Sequence, residues 1–268
     1  MASVGNHANN AIEEDMIRHM ILNTLRSIRV KFSKEEWKEL VIACDSRIYW
    51  RKDFFPHYKF RRKKYREDSG INWNELFRIM STVKAEIKET FPYRLIEVEG
   101  AEADDIIGTL IRKYSSTEPI MIVSRDKDFI QLHAYPNVQQ WDNIGTQYIK
   151  DNDPVKYLKE MIIKGDDGDD VPNYLMEDET FIKGIRQKPI TKKRLEVAMK
   201  DPKEFCDENQ LQNYARNSVL IDLRYTPKDL QNKILELYHE QEGKTKKGLT
   251  QYFMKHRLQV LHQSLQDF

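Results

Sequence analysis

Apolar residues recur at helical spacing over residues 11–31, where Met16, Ile17, Met20, Ile21, Leu25 and Ile28 predict an amphipathic helix docked on a core. Ser33 and Glu36 then have the spacing of a capping box, and the apolar run LVIACD at 40–45 predicts a strand. Leu76, Ile79, Met80, Val83 and Ile87 mark a second amphipathic helix. RLIEVE at 94–99 predicts a strand, residues 102–114 a helix, PIMIV at 119–123 a strand and 128–132 a short helix. Strands alternating with helices, with nearly continuous apolar strand runs, predict an α/β fold around a parallel sheet covered on both faces.

From about Pro154 the strand signals fade, and short helices broken by Pro172, Pro189, Pro202 and Pro227 take over. Residues 1–153 therefore read as an α/β core and 154–268 as a helical C-terminal region. Within the latter, EGKTKKG at 242–248 has linker composition and leads into a last helix.

The 268 residues carry 44 basic and 43 acidic side chains for a net charge of +1, so the placement of charge says more than its sum. No run of eighteen apolar residues occurs, and MASVGNHANN lacks the basic-then-apolar order of a secretory signal. A soluble cytoplasmic protein that avoids membranes is the expectation. Cys44 and Cys206 form neither a metal-binding pair nor a disulfide framework. No histidine pair has zinc-ligand spacing, and only His133 falls near an acidic motif.

The acids are clustered. Asp45 closes the first strand run; Glu102, Asp104 and Asp105 open a helix after the second; Asp126 and Asp128 follow the third; Asp166, Asp167, Asp169 and Asp170 crowd into KGDDGDD. In an open parallel sheet the C-terminal strand ends share one edge, where ligands bind. Each acid alone could be a helix cap worth about 0.5–2 kcal/mol. Four clusters on one edge repel unless a cation neutralises them. Ligation by oxygen alone favours Mg²⁺ or Mn²⁺ over zinc. Six or more carboxylates suffice for two ions about 4 Å apart, an arrangement suited to phosphodiester hydrolysis.

Basic residues are clustered too. Between Arg47 and Arg66 nine Lys or Arg face one acid, Asp53, and are interleaved with Tyr49, Trp50, Phe54, Phe55, Tyr58, Phe60 and Tyr65. Cations for phosphates and aromatics for unpaired bases are the makings of a single-strand binding surface. KGIRQKPITKKR at 183–194 is a second basic stretch, suited to a duplex backbone.

Together these residues resemble the flap endonuclease or 5′-nuclease superfamily, most closely the ribonuclease H group of T-even-type bacteriophages. VEGAEADDIIG resembles the family's EADD helix start, VSRDKDFIQL its S-x-D-x-D-F-x-Q-L segment, IIKGDDGDDVP its acidic loop and HYKFRR the base of its helical arch. The resemblance implies a PIN-like, Rossmann-like nuclease core with an arch at about 47–70, and a helix-hairpin-helix-like duplex grip in the C-terminal region. It implies that Asp45, Asp104 and Asp126 ligate a first Mg²⁺ with Glu102 and Asp105 in support, that Asp128, Asp166 and Asp169 serve a second, and that Lys59 and Arg62 approach the scissile phosphate. Arg47, Arg51, Lys52, Tyr58, Arg61, Lys63 and Lys64 of the arch, with Lys183, Arg186, Lys192 and Lys193 of the hairpin region, would then touch nucleic acid.

The implied activity is metal-dependent 5′-to-3′ hydrolysis of RNA primers in RNA/DNA hybrids and of 5′ flaps or duplex DNA ends during lagging-strand replication. The enzyme would be a monomer working in the host cytoplasm with a single-strand binding protein and a sliding clamp. Two departures accompany the resemblance. The family's glycine-rich hairpin is reduced to Gly184. The family also opens with a central strand ending in a metal-ligating aspartate, whereas MASVGN resembles the segment just after that strand, so the first central strand is expected to be missing. Without that aspartate, a catalytically impaired protein binding DNA junctions is the alternative. A ribonuclease of the PIN group fits less well, because such domains lack the long basic arch.

Overall fold

The computed structural model describes residues 14–33 and 35–268; residues 1–13, on which the expectation of a missing first strand rests, lie outside them. The helices are α1 (Glu14–Lys31), α2 (Trp50–Phe54), α3 (Arg61–Asp68), α4 (Trp73–Thr90), α5 (Ala103–Tyr114), α6 (Pro154–Lys164), α7 (Lys192–Ala198), α8 (Glu208–Ile221), α9 (Lys228–Glu240), α10 (Leu249–Lys255) and α11 (Gln259–His262). The strands are β1 (Val41–Ala43), β2 (Arg94–Ile96), β3 (Ile120–Val123), β4 (Val138–Asp142) and β5 (Gln147–Ile149). The α/β class is as expected, but the sheet is smaller: β1 pairs with β2, and β3, β4 and β5 form a separate ladder.

The described residues fall into two compact units: residues 43–62 and 96–240 make one, and residues 14–33, 35–42, 63–95 and 241–268 make the other. In the latter, α1 docks through Arg18, Leu22 and Arg29, not through the Met16 and Met20 face, which is 52% and 57% exposed. The rotation has a polar cause. Arg18 is buried because its guanidinium donates to Glu86 of α4 at 2.8 and 3.0 Å, and Arg29 because it donates to the Trp37 carbonyl at 3.0 Å. On α4, Ile79, Val83 and Ile87 make the buried stripe at four-residue spacing. Phe91, Tyr252, Phe253 and Phe268 close this core edge to face.

In the larger unit β3 runs parallel to β4, from Ile120 opposite Val138 to Val123 opposite Trp141. β4 and β5 form an antiparallel hairpin whose turn is held by Asp142 Oδ1 accepting from the Ile144 and Gly145 amides, both at 2.9 Å. This hairpin is absent from the hydrophobic pattern, because VQQWD has two glutamines where an apolar alternation would signal a strand. Phe55, Tyr58, Ile162, Val171, Leu220 and Ile221 form one core cluster; Ile111, Ile122, Phe129, Leu132 and Leu223 form another. Between them lie the N-terminus of α5, the loop after β3 and the loop after α6, which carry the acids.

Candidate active site

The floor of the site is a buried ion cluster. Arg51 of α2 is 2% exposed. It donates to Glu102 Oε2 and Asp105 Oδ2, both at 2.8 Å, to Asp105 Oδ1 at 3.0 Å and to the Leu220 carbonyl at 2.9 Å. Glu102 and Asp105 also form the reciprocal capping box of α5, and Asp105 accepts further from Trp50 Nε1 at 3.2 Å and Thr226 Oγ1 at 2.8 Å. With both oxygens so engaged, Asp105 anchors α5 and neutralises Arg51. Burying Arg51 is tolerable only because of these carboxylates; removing one partner of such a cluster costs about 3–5 kcal/mol.

Arg51 therefore does not face nucleic acid as its sequence setting implies, and neither does Tyr58, which is 3% exposed. The Tyr58 hydroxyl donates to Asp169 Oδ2 at 2.8 Å and stands 3.3 Å from Glu102 Oε2. Aromatic interleaving in the sequence does not separate rings that pack inward, such as Phe55 and Tyr58, from Phe54, Phe60 and Tyr65, which are half exposed or more.

On the rim, Lys59 Nζ pairs with Glu102 and stands 3.5 Å from Asp169 Oδ2, while Arg62 pairs with Asp169 Oδ1. Burial opposes the charge on Lys59, but Asp169 and Glu102 outweigh it and hold its pKa above the usual value; Arg62 is raised in the same way by Asp169. Arg61 pairs with Asp170 and reaches the Asp167 carbonyl. The base of the expected arch is thus bound to the acidic loop after α6.

Asp104, Asp128, Asp166 and Asp169 line a small cleft with Arg51 and Tyr58. Burial raises Asp104 to about 7, helped by Glu102 and Asp126, while Arg51 and Lys59 oppose the rise. Burial raises Asp128 to about 8, reinforced by Asp126, Asp166, Asp104 and Asp169. Asp166 is raised by burial and Asp169. Asp45 Oδ1 accepts the Ala103 amide at 2.8 Å, which puts the end of β1 beside the start of α5. Asp126 Oδ1 accepts the Asp128 amide at 3.0 Å, so Asp126 caps the 3-10 helix Lys127–Ala134 while it borders the acids.

Carboxyls that press one another toward neutrality, with oxygen donors only, suit a hard divalent cation in chemistry. In position they are not closed: among the described residues no group of three or more His, Cys, Asp or Glu is set to hold an ion as it stands. Asp169 is already occupied by Lys59, Arg62 and Tyr58.

Several residues that support the site are not among those predicted to form it. Gln140 of β4 is 0% exposed, and its Nε2 donates to the Ser124 and Asp126 carbonyls at 2.9 and 2.6 Å. His133 turns to Gln140 Oε1, at 3.0 Å. Gln131 Nε2 donates to the Asp128 and Ile221 carbonyls and its Oε1 accepts from Leu223, which ties the acidic turn to the end of α8. Gly165, at φ +69°, has no room for a side chain, since a Cβ there would stand 2.6 Å from Pro172 C; the turn lets Asp166 and Val171 exchange backbone hydrogen bonds at 2.9 and 2.8 Å. Arg47, Lys52, Lys63, Lys64, Lys183, Arg186, Lys192 and Lys193 are all exposed.

Comparison with known proteins defines the class. Residues 7–162 match the model of the 5′-3′ exonuclease, N-terminal resolvase-like domain, and residues 155–268 match that of the T4 RNase H C-terminal domain. The chain belongs to the 5′-3′ exonuclease family. It is 31% identical to ribonuclease H of Enterobacteria phage T4, covering 96% of this chain and 88% of that protein. It is also 33% identical to flap endonuclease Xni of Shewanella sp. strain MR-4 over 47% of this chain and 48% of that one. The fold matches the T5 D15 protein co-crystallised with metal ions, with a TM-score of 0.60 at 16% identity over 84% of this chain and 93% of that one. It also matches bacteriophage T5 D15 flap endonuclease in a complex with DNA and metal ions, with a TM-score of 0.58 at 15% identity over 84% and 91% of the two chains. Among the described residues no helix is long and apolar enough to cross a membrane.

Proposed function

We propose that the chain is a divalent-metal-dependent nuclease that hydrolyses phosphodiester bonds at 5′ ends and 5′ flaps, RNA primers paired to DNA included. The observation that carries this reading is the meeting of Lys59 and Arg62 with Asp169 at the mouth of the acidic cleft, because phosphate-binding cations and metal-binding acids then share one rim. Asp45, Asp104 and Asp126, with Glu102 beside them, would hold one Mg²⁺ or Mn²⁺, and Asp128, Asp166 and Asp169 a second. Asp105 acts one step back, by fixing Arg51 and the start of α5.

When bound, such ions polarise a phosphoryl oxygen and offset the charge that develops during hydrolysis. Lys59 and Arg62 orient the scissile phosphate and donate to its oxygens, a contribution worth about 10²–10³-fold in rate per well-aimed donor. Asp104 and Asp128 release their protons as a cation enters, so loading is favoured above their raised pKa values. Phe54 and Phe60 offer faces for unpaired bases, and Arg47 and Lys52 reach phosphates along the strand.

The test is cleavage of a labelled 5′ flap and of an RNA/DNA hybrid across a Mg²⁺ and Mn²⁺ titration, with Asp126→Asn and Asp128→Asn in parallel. Loss of cleavage with binding retained in both variants is expected. Metal-independent cleavage, or full activity in both variants, would sink the reading.

A further inference from the structure

We infer that Arg29 and Tyr93 hold one small monovalent anion of the halide class, between α1 and the segment that enters β2. The inference is independent of the nuclease reading and concerns neither the cleft nor the substrate. Arg29 is 5% exposed and Tyr93 is 1% exposed. Arg29 Nη2 and the Tyr93 hydroxyl are both shut away from solvent, and neither has a hydrogen-bond partner. Buried polar atoms in a folded protein are nearly always paired, so two such groups in one region call for a ligand.

Packing keeps both groups from turning to water. Arg29 Nη1 donates to the Trp37 carbonyl at 3.0 Å, which fixes the guanidinium, and the Trp37 ring packs edge to face on Phe32 with centroids 6.0 Å apart. The Tyr93 ring stacks on Phe91 at 6.0 Å, and Phe91 is itself buried. The two unpaired groups lie within electrostatic reach of one another. Burial pushes the Arg29 pKa down and the Tyr93 pKa up, and each residue opposes the shift of the other.

Charge selects an anion over a water. Among the described residues no carboxylate supports the charge on Arg29; Tyr93 is the one group that offsets its burial. Glu39, two residues beyond Trp37, pairs instead with Arg94 at 3.1 Å. A water can accept from both donors, but it leaves the guanidinium charge uncompensated, and a buried charge without a counter-charge is strongly disfavoured. One cation with two donor groups matches a single negative charge that makes no directional demands, which a halide supplies. A phosphate would bring more charge and more oxygens than these two groups can answer.

The experiment follows thermal unfolding of the full chain in EDTA as sodium gluconate is exchanged for sodium chloride at constant ionic strength. The melting temperature of the parent should rise by about 2–4 °C, because an ion that binds only the folded chain stabilises it. Arg29→Met, similar in length and without charge, should melt at the same temperature in both salts. Tyr93→Phe, which keeps the ring stacked on Phe91, should gain less than the parent. Surface cations attract anions too, so a gain in Arg29→Met as large as the parent's would overturn the site, as would a parent with no gain. A bromide soak of parent crystals gives an answer whether or not a variant folds. An anomalous peak within hydrogen-bond distance of Arg29 Nη2 and the Tyr93 hydroxyl is expected, and an ordered water there without anomalous signal would overturn the inference.

Discussion

Lys59 is tied to Asp169 twice: its Nζ stands 3.5 Å from Oδ2, and its amide donates to the Asp169 carbonyl at 2.9 Å. The backbone contact holds Lys59 in the left-handed region, at φ +56°, a conformation that costs a non-glycine residue about 1–3 kcal/mol. The main chain therefore aims the ammonium at the cleft before any substrate arrives. Lys59→Met keeps the length of the side chain and removes its charge. Single-turnover cleavage of a 5′ flap should fall about 10²–10³-fold, with flap affinity in EDTA changed by less than about tenfold because many other cations contribute. A large loss of affinity with unchanged single-turnover rate would contradict this assignment.

The raised pKa values of Asp104 and Asp128 make stability pH-dependent in a definite direction. A carboxyl raised in the folded state stabilises below its unfolded pKa, and that contribution is lost as pH rises through the folded value. With Asp104 at about 7 and Asp128 at about 8, the metal-free protein should lose stability steadily from about pH 4 to pH 8. Urea unfolding at pH 5 and pH 8 measures this, and Mg²⁺ should restore stability at pH 8. Asp128→Asn should be more stable than the parent at pH 8 without metal and about equal at pH 5, while losing cleavage. A variant less stable at pH 8 would show that Asp128 does not carry an opposed charge.

Gln140 makes three hydrogen bonds that bear on the acidic turn after β3 without itself touching the cleft. Gln140→Leu leaves the Ser124 and Asp126 carbonyls without their side-chain donor, which should lower stability by about 1–3 kcal/mol. The distinguishing measurement is Mn²⁺ binding by calorimetry under conditions where the variant is fully folded: affinity should drop, and Gln140→Glu, which presents acceptors to two carbonyls, should not rescue it. Unaltered Mn²⁺ affinity would limit Gln140 to a packing role.

Gly165→Ala tests the acidic loop after α6. The new methyl group would meet the Val171 carbonyl and Pro172 backbone, neither of which can swing away, and the residue would keep a positive φ. A loss of about 3 kcal/mol or more is expected in urea unfolding. A midpoint equal to the parent's would mean that the loop has another conformation open to it.

The sequence makes the acids legible because each group follows a run of apolar residues, and strand ends in an α/β fold share an edge. It does not show how the charges are shared. Asp104 and Asp105 are neighbours of the same type, yet one lines the cleft and the other is shut in with Arg51, a difference set by the 3.6-residue rotation of α5 and by which side chain waits at each position. Arg51 and Arg61 look alike inside one basic stretch, and only the tertiary partners, Glu102 and Asp105 against Asp170, tell a buried cation from a rim cation. Hydrophobic patterning catches only part of the docked face of α1 for the same reason: Ile17, Ile21, Leu25 and Ile28 are half-buried, but Arg18 and Arg29 count as polar until their partners are known. It misses β4 because a glutamine that satisfies three polar atoms inside the protein has the same letter as one in water.

The β3 to β4 ladder sets Gln140 opposite Ile122, one step before β3 ends and leads into the acidic turn. Side chains alternate across a strand, so sliding β4 by one residue would send Gln140 to the opposite face. The connection between Ala134 and Val138 is accordingly a place where a single inserted or deleted residue would be felt at the cleft. Chain length, more than residue identity, is the property that evolution or an engineer must leave alone in those few positions.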